Sequence, residues 1–92
     1  MTTLDQKLRL HPEVVDTNLD DEIVLLHLKN KQYYSLNLTG GRIWQGIKEE
    51  LSLKEISERL QAEYVVEAEF ATRSVLAFVD ELSAQQLVQA VD

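Results

Sequence analysis

The chain of 92 residues has no cysteine, one proline, three glycines and two histidines. Without thiols, disulfide cross-links and thiolate zinc sites are excluded, and the composition fits a reducing cytosol. No apolar run approaches the ~20 residues of a membrane span. The opening stretch, MTTLDQKLRLHPE, lacks the apolar centre of a secretory signal. A cytoplasmic protein without membrane association is expected. Basic residues are also scarce: nine Lys and Arg face sixteen Asp and Glu, for a net charge of −7. Nucleic-acid binders cluster cations on one face. Here Lys7, Arg9, Lys29, Lys31, Arg42, Lys48, Lys54, Arg59 and Arg73 are scattered along the sequence, so no nucleic-acid partner is expected.

Catalytic groups are equally thin. His11 and His27 are the only histidines, and neither belongs to an H-E-x-x-H or carboxylate–histidine cluster. His27 alternates within an apolar segment, which suits a structural role better than a ligand role. Gly40-Gly41 matches neither G-x-G-x-x-G nor the phosphate-cradling G-x-x-x-x-G-K-S/T. Ser35, Ser52, Ser57, Ser74 and Ser83 lack a glycine-flanked nucleophile pattern. The many carboxylates alternate with lysines in the manner of solvated helix faces. No enzyme, metal or cofactor is expected.

What is present is a core. Hydrophobic residues make up 45% of the chain, which places it with globular proteins. The length allows one domain, residues 1–92. A domain of this size buries about 60–65% of its unfolded surface, enough for one core and little else.

Residues 7–15, KLRLHPEVV, read as one irregular or edge strand, because Pro12 cannot donate to a central ladder. Asp16 to Glu22, rich in Asp and Asn, reads as a turn. Ile23–Leu28 is a buried second strand. After the polar break Lys29-Asn30-Lys31, Tyr33–Leu38 is a third, so 23–38 forms a hairpin. From Thr39 the period changes: Ile43, Trp44 and Ile47 share a helical stripe. Asn37 or Thr39 can cap it, and Gly40-Gly41 let the chain turn from strand to helix. Ser52 and Glu55 have capping-box spacing ahead of Leu53, Ile56, Leu60 and Tyr64. A third helix carries Ala68, Ala71, Val75, Phe78, Val79 and Leu82 in one stripe. Leu87, Val88 and Val91 either continue that helix or form a separate segment. The fold expected is α+β and winged-helix-like: a three-stranded antiparallel sheet followed by three helices.

The aromatic weight falls on Lys31–Trp44, KQYYSLNLTGGRIW. Strand side chains alternate, so Tyr34 and Leu36 face the core while Tyr33 and Ser35 face away. Tyr33 is then either an ordinary strand tyrosine or part of a site beside a free strand edge. An open edge offers N–H and C=O groups to an incoming peptide. Four to six such bonds at a net ~0.5–1.5 kcal/mol give only a few kcal/mol. Micromolar binding needs about 8 kcal/mol, and ordering a flexible peptide costs roughly 2–5 more. Apolar anchors worth ~1.5–3 kcal/mol each must therefore fill a groove beside the strand.

YYSLNLTGGRIW, SLKEISERLQAEY and SVLAFVDELSAQQLV together resemble the PqqD-like family, the peptide-recognition domains (RiPP recognition elements) of pathways that modify ribosomally made peptides. The resemblance runs from about Leu8 to Val88. Its most specific part is Tyr34-x-Leu36-Asn37-x-Thr39-Gly40 with Ile43-Trp44. It implies that the leader segment of a precursor peptide is held as an added strand beside the third strand, in a groove against the third helix. It also implies partners: a leader peptidase and a cyclase or other modifying enzyme. Tyr-Tyr-x-Leu-Asn is most similar to the free-standing lasso-peptide members. The near alternative is the pyrroloquinoline-quinone type, which serves a radical-SAM enzyme. The family often has a glycine before its last apolar pair, where Gln85-Gln86 stand here.

The residues expected to bind peptide are Tyr33, Tyr34, Ser35 and Leu36 on the third strand. On the third helix they are Phe70, Arg73, Ser74, Val75, Leu76, Ala77 and Phe78. Val75 and Phe78 hold the core and can form the groove floor. Phe70 and Leu76 fall on opposite flanks, and helical spacing leaves open which one faces the sheet edge. Arg73 pairs either with a leader carboxylate or with Glu69 or Asp80. Two competing functions are a winged-helix DNA-binding module, which requires a basic recognition helix, and a plain dimerisation domain pairing edge to edge.

Overall fold

The computed structural model describes residues 3–20 and 22–91. Its elements are β1 (Leu8–Leu10), β2 (Val14–Leu19), β3 (Glu22–His27), β4 (Gln32–Leu36), α1 (Leu38–Lys48), α2 (Leu53–Glu63), α3 (Ala68–Ala84) and β5 (Val88–Ala90). The α+β class stands, with an antiparallel three-stranded sheet in the order β2-β3-β4 followed by three helices. The strand expected as the third is β4. Beside this sheet lies a two-stranded ribbon of β1 and β5, which pattern alone did not suggest.

Residues 7–15 are not one strand. Pro12 has no N–H to continue a ladder, and the chain breaks there: Val14 N–H bonds back to His11 O at 3.0 Å. The half before the break pairs with the C-terminus, Leu8 opposite Ala90 and Leu10 opposite Val88. The half after it is β2, which runs to Leu19, so Asp16–Leu19 is strand and not turn. Tertiary partners override composition here. Asp16 accepts from the indole Nε1 of Trp44 at 2.9 Å and from Lys48 Nζ at 2.8 Å, and β2 pairs along its whole length with β3. Burial alone would raise the Asp16 pKa; the bonds from Lys48 and Trp44 and the Lys48 charge outweigh it and hold the carboxyl below its usual range.

The β3–β4 hairpin forms as expected, in the register Leu25↔Tyr34 and Ile23↔Leu36. Its turn uses Lys31 at φ 61 in place of a glycine. His27, fully buried, supports the turn: its Nδ1 accepts from the N–H groups of Lys29 and Asn30 at 3.3 and 3.4 Å. Its ring lies 4.8 Å from that of His11.

The helix begins at Leu38 rather than after it, because Asn37 is the cap: its Oδ1 accepts from Gly40 N–H at 2.8 Å. Gly40 and Gly41 sit inside this first turn, and no glycine has positive φ. Gly40 serves close approach, not a bend: a Cβ there would stand 3.1 Å from the Phe78 ring. The capping box of α2 forms as its spacing predicts, with Ser52 Oγ accepting from Glu55 N–H at 3.2 Å and Glu55 Oε1 from Ser52 N–H at 2.9 Å.

α3 ends at Ala84. Gln86 takes φ 59, Leu87 N–H bonds to Leu82 O at 2.9 Å and Gln86 N–H to Ser83 O at 3.0 Å. This is a Schellman stop, with Leu82 and Leu87 both buried beneath it. The last residues thus fold back into β5 and do not extend the helix. Buried residues from both sheets and all three helices form one core cluster, centred on Trp44, Leu25, Ile43 and Val75.

Candidate functional site

β4 bonds to β3 on one side only; among the described residues no strand pairs with its other margin. Alternation places Leu36 in the core and Tyr34 half-buried beneath the sheet, with Ser35 and Tyr33 exposed; Tyr33 is 74% exposed. The Tyr34 hydroxyl lies 2.6 Å from Gln32 Oε1 and 3.0 Å from Gln85 Oε1, so it ties the start of β4 to the end of α3.

α3 buries Ala71, Val75, Val79 and Leu82. A second stripe runs beside that core face: Phe70, Ser74, Phe78, Glu81 and Gln85, spaced by three or four residues. Of these, Ser74, Phe78, Glu81 and Gln85 share cavities with β4 residues, and Phe70 lies beyond them on the same stripe. A cavity of about 390 Å³ lies between Tyr33–Leu36 and Phe78, Glu81 and Gln85. Next to it, one of about 270 Å³ lies between Ser35–Asn37 and Ser74, Phe78 and Glu81. A smaller one, about 160 Å³, continues past Ser74 to Thr39, Tyr64 and Phe70. Phe70 and Val66 lead from there to a fourth, of about 360 Å³, edged by Glu67, Glu69 and Arg73. Neighbouring cavities share residues, so together they trace one groove along the length of α3.

The expected residues divide as follows. Tyr33, Tyr34, Ser35, Leu36, Ser74 and Phe78 converge on the groove, and Phe70 lines its continuation. The sheet-facing flank is therefore that of Phe70. Leu76 is half-buried against the core and lines none of these cavities. Val75 is fully buried and lies beneath the groove, not in its floor. Ala77 is exposed outside it. Arg73 stands at the far end and makes no salt bridge with Glu69. Glu81, Gln85, Leu87 and Thr39 also line the groove and were missed. The signal for the first two was readable: once Phe70 is chosen, helical spacing carries the stripe on to 74, 78, 81 and 85.

A separate depression of about 310 Å³ lies between the β2–β3 turn and α1, lined by Asn18, Glu22, Arg42 and Gln45 among others, and shares no residue with the groove. Among the described residues no three His, Cys, Asp or Glu side chains are placed to hold a metal. Among them too, no helix is long and apolar enough to cross a membrane.

Comparison with known proteins adds the following. The family model for coenzyme PQQ synthesis protein D (PqqD) matches residues 22–88. No curated protein sequence matches the chain. Two solved structures are similar over nearly the full length. One is TbiB1 in complex with the TbiA(beta) leader peptide: 33% identity, TM-score 0.85, covering 88% of this chain and 94% of that one. The other is lasso peptide synthetase B1 complexed with the leader peptide: 30% identity, TM-score 0.85, covering 90% of this chain and 98% of that one.

Proposed function

The chain belongs to the PqqD family, and on that footing we propose that it binds the leader segment of a ribosomally made precursor peptide as a strand added to β4, inside the groove against α3. It carries out no chemistry on its guest; it holds the precursor for a leader peptidase and a cyclase or other modifying enzyme. The observation that carries this reading is the unpaired β4 margin with Ser74 and Phe78 running beside it and Phe70 continuing the same stripe beyond. Backbone pairing with β4 supplies a few kcal/mol. Phe70 and Phe78, with Tyr33 at the near end, offer the apolar surface that makes up the remainder at about 25 cal/mol per Å² buried.

Two similar structures described as leader-peptide complexes, one of them a lasso peptide synthetase, favour a lasso pathway. The family model's own description keeps the pyrroloquinoline-quinone type as the second reading. A DNA-binding role finds no support in α3, whose sequence AEFATRSVLAFVDELSA holds Arg73 as its sole cation beside Glu69, Asp80 and Glu81.

The test is isothermal titration with synthetic leader segments of short precursors found by reading the open reading frames near the gene for this chain, combined with amide chemical-shift mapping. Micromolar or tighter binding with shifts along β4 and α3 is expected. Absence of binding, or shifts concentrated on β2, overturns the proposal.

A further inference from the structure

Glu81 stands out within the groove. It lines both central cavities, one helical turn after Phe78, which also lines both. It is the only charged side chain in either lining. None of the ion pairs Arg42–Glu63, Lys48–Asp16 and Arg59–Glu49 involves Glu81. The one cation along the described groove, Arg73, edges a different cavity eight residues back along the helix, roughly 12 Å away at 1.5 Å per residue. The Glu81 carboxylate is exposed in the free protein and solvated by water. A strand laid along β4 covers both cavities and strips that water away. A carboxylate that loses its water without gaining a partner is costly, and the cost disappears only when a cation or strong donor replaces the water. The lining holds no cation to do so: its other polar side chains are all neutral, the hydroxyls of Ser35, Thr39, Ser74, Tyr33 and Tyr34 and the amides of Asn37 and Gln85.

We propose that Glu81 is a specificity-determining residue of the groove, and that the accepted peptide presents a lysine or arginine to it among the side chains that face α3. This rests on the leader-binding reading above and extends it to the chemistry of the guest. Strand side chains alternate, so the requirement falls on one inward position, set between apolar neighbours two residues away on either side. An acidic residue at that position meets like charge at short range and is rejected.

The test uses a displayed library of random twelve-residue peptides, selected in parallel on the wild-type protein, Glu81→Gln and Glu81→Lys, each checked for wild-type unfolding behaviour. Wild-type pools should share apolar anchors and show about five-fold or greater enrichment of Lys and Arg at one fixed distance from them. Glu81→Gln should keep the anchors and lose the cation. Glu81→Lys should replace it with Asp or Glu. A basic preference undiminished on Glu81→Gln, or no charge preference on the wild type, overturns the role of Glu81 while leaving the groove intact. Failure to enrich any pool, or selected peptides that bind Phe70→Ala and Phe78→Ala as tightly as the wild type, instead overturns the groove reading on which the proposal rests.

Discussion

Among the described residues the sheet has two free margins, β2 and β4, and they are not alike. β2 points Asp16 inward from its margin and fixes it to Trp44 and Lys48. It follows a proline break and ends at Leu19, just before Asp20, which has φ 55. Inward charge and a nearby proline are devices that keep edges from pairing. β4 has neither: Gln32–Leu36 carries no charge, has no proline beside it and faces a groove walled by α3. Both edges offer the same backbone groups. What differs is the neighbour that would hold a guest once paired, and that difference is the basis for assigning β4 the guest.

The largest effect expected follows from this contrast. Phe70 is 56% exposed in the free protein and packs into little of the core. Phe70→Ala should leave stability within about 0.5 kcal/mol and weaken leader binding roughly ten- to hundred-fold, since one anchor is worth about 1.5–3 kcal/mol. Val15→Ala, an exposed residue on the β2 margin, should change affinity less than about two-fold. Isothermal titration of the two variants settles the matter; equal losses would erase the distinction between the margins.

Next in size is the anchor of the closed margin. Asp16→Ala leaves the indole N–H of fully buried Trp44 without its acceptor, at a cost of about 2 kcal/mol in unfolding free energy. Leader affinity should be unchanged. The linkage to pH has a definite sign. The folded-state pKa of Asp16 is depressed, so its charge contributes stability above the unfolded value of about 3.9 and loses it as pH falls through the lower folded value. Urea titrations should therefore show the gap between wild type and Asp16→Asn narrowing below about pH 4. A gap independent of pH would mean that the ionised form is not what β2 uses. Smaller again is Leu76→Ala, on the flank of α3 away from the groove. Half-buried against the core, it should cost about 1–2 kcal/mol of stability and leave binding alone, the reverse of Phe70→Ala.

Much of this was legible in the residues. Periodicity placed all three helices, and the capping box of α2 appeared at its predicted positions. What could not be read were features decided by distant partners. Asp16–Leu19 has a turn's composition but becomes strand, because Trp44 and Lys48 wait for its carboxylate. Leu8–Leu10 leaves the main sheet because the last residues return to pair with it. Phe70 and Leu76 are equivalent to helical arithmetic, and only the docking of α3 against β4 separates them. Val75 looked able to serve both core and groove, but a helix face one residue wide cannot do both, and the core takes it.

The smallest effect concerns the residue that ends α3 at the closed end of the groove. Gln86 holds φ 59 in the Schellman stop, where glycine is the usual occupant and where the resembling family often has one nearby. A side chain in the left-handed region costs roughly 1–2 kcal/mol, partly offset by the greater entropy that glycine loses on folding. Gln86→Gly should therefore stabilise the protein by about 0.5–1 kcal/mol, read as a higher midpoint in urea with an unchanged slope. The neighbouring Gln85 keeps its bond to Tyr34 across the groove end, so affinity should hold. If the variant is more stable yet binds less well, the Gln86 side chain itself takes part in closing that end, and the contrast between the two margins would extend to how each one terminates.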